Sequence, residues 1–166
     1  MFKKMFTRFS KVVAAGLVLS FMFLVPGAEA SHWGLSGGLQ THDPTIVRES
    51  GNTWWSASTG TGIGMKYSTN GGKTWTDGLP IFSQPLSWWK KYAPNMTTND
   101  VWAPDLEYYR GRYYCYYSVS EFGKNNSAIG LVSCSSISRG DWRDDGVVLY
   151  SRYGSSKFNA IDPNLV

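Results

Sequence analysis

The sequence is short of what several function classes require. It has only two cysteines and two histidines in 166 residues. There is no C-x-x-C pair and no His/Cys cluster, so nothing in it has the spacing of a structural zinc site. No window keeps a 3.6-residue apolar period, so almost no helix is expected. The longest apolar stretch, VVAAGLVLSFMFLV at residues 12–25, is fourteen residues long. A comfortable transmembrane helix needs about 20.

That stretch follows Lys3, Lys4, Arg8 and Lys11 and precedes a Pro-Gly break and the small-residue end AEA. This order is that of a secretory signal peptide over residues 1–30, with a retained membrane anchor as the alternative. Secretion places the remaining chain outside the cell, with no membrane contact after cleavage. It also removes most of the basic excess. The full chain has a formal net charge of +4, whereas residues 31–166 hold 12 bases against 11 acids. A nucleic-acid partner, which needs a basic patch, is therefore not expected.

What is abundant is aromatic. Residues 31–166 contain all 8 Trp and all 10 Tyr of the chain, among many glycines. This composition favours strands and turns, and the length suits one domain with a real core. Cys115 and Cys134 fall in two neighbouring predicted strands, YYCYYSVS and AIGLVSC. An oxidising compartment allows a cross-strand disulfide. Two buried free thiols fit equally well while the register is unknown.

The chain also repeats. One unit runs from Asp43 to Trp75 and a second from Asp105 to Trp142; a third opens at Asp162. Each full unit reads as strand, glycine turn, aromatic strand, loop, strand and a turn ending in Trp. A period of about 50 residues with several short strands is that of a β-propeller blade, with a compact β-sandwich as the alternative. The fold class is therefore all-β, with about two blades and the first strand of a third. Closure needs at least about four blades, so residues 31–166 are expected to be the N-terminal part of a larger propeller domain. First strands line the channel of a propeller, so acids at their starts converge on one site. An Asp-Pro pair alone is an ordinary turn initiator.

The ordered segments HDPTIV, IFSQPLSWW, VWAPDLEYYRGRYYCYYSVSEFG, NNSAIGLVSC and FNAIDPNLV resemble glycoside hydrolase family 43, specifically its secreted endo-1,5-α-L-arabinanases. The resemblance implies a five-bladed β-propeller, monomeric, that cleaves arabinan with inversion. It makes Asp43 the general base and Asp162 the residue that holds and tunes a general acid. That acid is a glutamate of a later motif, which is not in this sequence. It also implies substrate contacts at Trp102, Asp105, Phe122, Gly123, Asn159, Ala160 and Ile161, with Trp88 and Trp89 as a further groove wall. No cofactor is required for the chemistry. Many relatives carry a central calcium, reached through a histidine of a later blade that is also missing here.

Two rival readings come from the same residues. STNGGKTW at Ser68–Trp75 resembles the Asp-box turn of sialidases, with Asn70 where Asp is usual. A sialidase needs an arginine cluster for its substrate's carboxylate. The other rival is a non-catalytic carbohydrate-binding β module, whose aromatics hold the polysaccharide without cleaving it.

Overall fold

The computed structural model describes residues 34–166; the leader expected at 1–30 lies outside them. Two sheets form, one for each repeat, antiparallel except for one short parallel pair. The first contains β1 (Ser36–Gly37), β2 (Thr45–Ser50), β3 (Thr53–Ser58), β5 (Gly64–Ser68) and β6 (Thr74–Asp77), with β4 (Gly60–Thr61) leaving it between β3 and β5. Its order is β1-β6-β5-β3-β2, and β1 pairs parallel to β6. A single helical turn, α1 (Trp89–Tyr92), leads to the second sheet. This comprises β7 (Asp100–Tyr109), β8 (Arg112–Ser120), β9 (Ser127–Cys134) and β10 (Arg143–Ser151). Here β4 of the first repeat crosses over to pair with the start of β7.

Local chemistry accounts for the hairpins. Arg110 and Gly111, with φ of 47° and 85°, form the two-residue turn between β7 and β8. Paired positive φ values match the right-handed twist of the flanking strands. In the Ser68–Trp75 turn the Asn70 side-chain carbonyl accepts the Thr74 N–H at 2.9 Å, and the Ser68 hydroxyl accepts the Gly72 N–H at 3.0 Å. The Trp75 indole donates to the Gly72 carbonyl at 2.9 Å. Asn70 thus needs only a carbonyl oxygen to do what Asp does in such a turn. The motif is a loop-closing device and carries no sialidase site.

The core lies between the two sheets and under α1. Trp89 is fully buried, 5.1 Å from the Phe82 ring centroid, and its indole donates to the Tyr117 hydroxyl at 3.3 Å. Trp88 packs beside it and donates to Asp144 at 3.1 Å. The pair read from sequence as a groove wall is therefore core and a brace from α1 to the second sheet. Cys115 faces Val132 across β8–β9, while Cys134 faces Tyr113. The two thiols are diagonal rather than opposite, both buried and free. Burial pushes both upward, Cys134 to about 12.

Glu49, at the end of β2, clasps the two blades together. Its carboxylate accepts the Trp55 indole N–H at 2.8 Å from its own blade. From the other blade it accepts the Ser136 hydroxyl at 2.8 Å, the Ser138 N–H at 3.0 Å and the Ser138 hydroxyl. Burial pushes this carboxyl up, but the Ser138, Ser136 and Trp55 donors outweigh it and hold it below its ordinary 4.5. A depressed acid contributes stability that is complete above its unfolded pKa and is lost as pH falls through the folded value. Glu49→Gln is expected to cost about 2 kcal/mol at pH 7, as for a hydrogen-bonded charge, with the deficit shrinking as pH falls below the ordinary carboxyl value of 4.5. Thermal melts of both proteins from pH 7 to pH 3 would check this; a deficit that stays constant with pH contradicts it.

Candidate active site

Three X-Pro turns stand at corresponding places in the three repeats: His42-Asp43-Pro44, Trp102-Ala103-Pro104 and Ile161-Asp162-Pro163. The residue before each proline is left-handed, with φ of 47° at Asp43, 41° at Ala103 and 55° at Asp162. A left-handed non-glycine residue costs roughly 1–2 kcal/mol, and such strain collects at functional sites. Asp tolerates the region better than most residues.

These turns correct the register of the repeat. Asp105 is not the counterpart of Asp43 and Asp162; Ala103 is. Asp105 instead corresponds to Thr45, as its hydrogen bond shows. Thr45 Oγ1 accepts the Leu106 N–H of the next repeat at 3.2 Å, and Asp105 Oδ2 accepts the Leu165 N–H of the one after at 2.6 Å. Asp105 is buried and stitches one repeat to the next. The resemblance implies a substrate contact at Asp105; in the structure its Oδ2 is taken by the Leu165 N–H.

A second stitch also repeats. Thr59 Oγ1 accepts the Ala103 N–H at 2.7 Å, and Ser118 Oγ accepts the Asp162 N–H at 2.9 Å. Both span 44 residues in sequence. Each hydroxyl supports the left-handed residue of the following turn. Thr59 does more: having accepted from Ala103, it donates its proton to Asp43 Oδ2 at 2.8 Å. Ser118 pairs with Trp102 across β7–β8. A continuous path thus runs from Asp43 through Thr59, the middle turn and Ser118 to Asp162. Sequence reading missed Thr59 and Ser118, although their common offset to the next X-Pro turn was available as a signal.

Asp43 and Asp162 are both exposed, and His42 Nδ1 lies 3.5 Å from Asp43 Oδ2. Residues 159–166 lie where a third blade begins, on Ser118 and Asp105, without a strand ladder among the described residues. Asn159 accepts the Ser127 hydroxyl at 2.6 Å. Ala160 is buried, with its N–H on Ser151 Oγ at 3.0 Å, and Ile161 bonds back to the Asn159 carbonyl at 3.0 Å. These three residues hold the Asp162 turn in place.

Beside the middle turn opens a cleft of about 410 Å³, lined by Trp102, Phe122, Asn95, Thr98, Glu121 and Lys124, with neither Asp43 nor Asp162 in its walls. Phe122 is 94% exposed, and its ring meets Trp102 edge to face at 6.4 Å. Gly123, at φ 77°, lets the loop turn directly behind it. Glu121 anchors the loop from below. It accepts the Asn95 N–H at 2.8 Å and the Asn126 amide at 3.2 Å. Burial pushes its carboxyl up, but the Asn95 and Asn126 donors and Lys124 outweigh this and hold it below 4.5. A carboxyl kept charged in this way is unsuited to donate a proton near neutral pH.

The arginines are committed locally. Arg48 donates to the Gly51 carbonyl at 2.7 Å, Arg112 to Ser133 at 3.1 Å, and Arg110 stacks on Tyr109 at 5.0 Å. They form no carboxylate fork. Among the described residues there is no group of three or more His, Cys, Asp or Glu side chains placed together to hold a metal.

The family model for glycosyl hydrolases family 43 matches residues 38–166. The extracellular endo-α-(1→5)-L-arabinanase 1 of Bacillus subtilis (strain 168) is 47% identical over 171 residues, covering 98% of this chain and 50% of that protein. A GH43 endo-arabinanase structure from Bacillus licheniformis superposes with a TM-score of 0.73 at 50% identity, over 79% of this chain and 44% of that one. A Cellvibrio cellulosa α-L-arabinanase complexed with arabinohexaose gives 0.69 at 36% identity, over 75% and 40%. The chain spans about half the length of the curated relatives it matches.

Proposed function

The chain belongs to glycosyl hydrolases family 43, and from that membership and the placement of its acids we propose that it serves the cleavage of α-1,5-linked arabinan with inversion. The observation that carries this is the pair Asp43 and Asp162, on matching strained turns joined through Thr59 and Ser118.

Inversion needs one carboxylate to activate water and one carboxylic acid to protonate the leaving oxygen, about 6.5–9.5 Å apart. Asp43 is the base. Its Oδ2 is occupied by the Thr59 hydroxyl, which orients the group and leaves Oδ1 for the water. Asp162 tunes the acid, since a nearby negative charge raises the pKa of a carboxylic acid and keeps it protonated. Glu121 is not that acid, for the reason given above. In this reading the proton comes from a glutamate of a later blade. Trp102 and Phe122 offer flat rings to the C–H faces of the sugars, and Asn95 and Lys124 stand beside them for hydroxyls. A polymeric substrate fits a secreted protein, and the Bacillus subtilis relative is named extracellular.

The test is a chimera in which this chain replaces the matched half of the Bacillus subtilis relative. Reducing-sugar release from linear 1,5-α-arabinan is the expected result. A folded chimera that binds arabinohexaose and leaves arabinan intact would overturn the catalytic reading in favour of a carbohydrate-binding module.

A further inference from the structure

A second and larger cleft, about 610 Å³, opens between the two blades. Its walls include Trp55, Tyr67, Trp142, Asp77, Ser138 and Arg139. It is not an extension of the site above. Trp55 pairs with Val47, four residues along the chain from Asp43. Val47 lies inside β2 and Asp43 in the turn before it, and the two clefts share no lining residue.

The walls are prearranged. Trp55 and Tyr67 are cross-strand partners with ring centroids 5.4 Å apart. The Trp55 indole N–H is already committed to Glu49, which fixes the ring; the ring is partly buried against the core and its remaining surface lines the cleft. The same carboxylate holds Ser136 and Ser138 on the opposite wall, so one residue sets the spacing of both sides. At the rim the Arg139 guanidinium is steadied by Ser135 Oγ at 2.6 Å and Asp141 at 3.5 Å, with its side chain still 66% exposed. Asp77, 75% exposed and ion-paired with Lys66, contributes to the wall from the first blade.

Aromatic carbon surface inside and charged hydrogen-bonding groups at the rim suit a sugar chain, whose C–H faces pack on rings and whose hydroxyls need fixed polar partners. We infer that the cleft between Trp55, Tyr67 and Trp142 is a second, non-catalytic site for an arabino-oligosaccharide segment. Such a site would hold a polymer at two points and raise the effective concentration of its chain at the acids. The inference takes its ligand from the reading proposed above, so its test separates the two.

Arabinohexaose is titrated into the full chain and followed by backbone and indole NMR. Shifts are expected at Arg139, Ser138 and Trp142 as well as at Trp102 and Phe122. Phe122→Ala should remove the second set and keep the first. Arg139→Ala should weaken the first set at least tenfold; both side chains lie largely exposed, so folding is little affected. Shifts confined to Trp102 and Phe122 overturn the second site and leave the proposed function standing. Shifts at neither cleft overturn both. Equal shifts with xylohexaose at Arg139 and Trp142 overturn the assignment to arabinan.

Discussion

In the chimera, Asp43→Ala is expected to lower kcat on linear 1,5-α-arabinan about 10³-fold while KM changes little. A positioned general base contributes about 10²–10⁴-fold, and the substitution removes it without touching the Trp102–Phe122 cleft. Asp43→Asn should fall almost as far, because it keeps a side-chain carbonyl for the Thr59 hydroxyl and still cannot take a proton from water. Asp162→Ala should act differently. Loss of its charge lowers the pKa of the acid it tunes, so the basic limb of the kcat–pH profile moves to lower pH. Steady-state kinetics across pH 4–9 read both effects. An Asp43→Ala chimera with kcat within tenfold of the parent would remove Asp43 from the base role.

The second large effect is on stability. Gly62→Ala is expected to destabilise the chain by about 3 kcal/mol, or roughly 10 °C in Tm for a domain of this size. Gly62 has φ of 68°, and a Cβ there would lie 1.9 Å from the Phe82 carbonyl oxygen. Its N–H donates to Asn99 at 2.8 Å and its carbonyl accepts Phe82 N–H at 2.9 Å, so neither segment can withdraw without losing a bond. The position follows β4, which ties the first blade to the start of β7, just ahead of the Trp102-Ala103-Pro104 turn. Circular-dichroism melts of the two proteins measure the cost, and a Tm within 2 °C of the parent contradicts it.

Much of the architecture was legible because blades repeat. The aromatic strands and the Trp-ended turns marked two units, and an X-Pro turn opened a third. What misled was counting acids. Aligning Asp43, Asp105 and Asp162 gives spacings of 62 and 57 residues, and the fold instead aligns Asp43, Ala103 and Asp162. The invariant feature is the strained residue before proline, and in the middle repeat that residue has no carboxylate. Asp105 looked like a site acid because its neighbours are aromatic, whereas its backbone partner Leu165 is 60 residues away and cannot be read from spacing. Thr59 and Ser118 were hidden for a related reason. A hydroxyl in or just after a strand is common, and only the stagger of one blade on the next brings it under the next turn. Trp88 and Trp89 show the limit for aromatics, since a pocket wall and a core share one composition. The cysteines show it for register: a shift of two residues along β9 separates an opposed pair from a diagonal one.

The most direct test of the proposed chemistry is the anomeric configuration of the first product. Proton NMR of arabinohexaose hydrolysis by the chimera, recorded before mutarotation, distinguishes the two outcomes. Water delivered by Asp43 to the face opposite the leaving group yields the β anomer first. If the α anomer appears first, the bond is broken through a covalent intermediate and Asp43 is not the base that activates the attacking water.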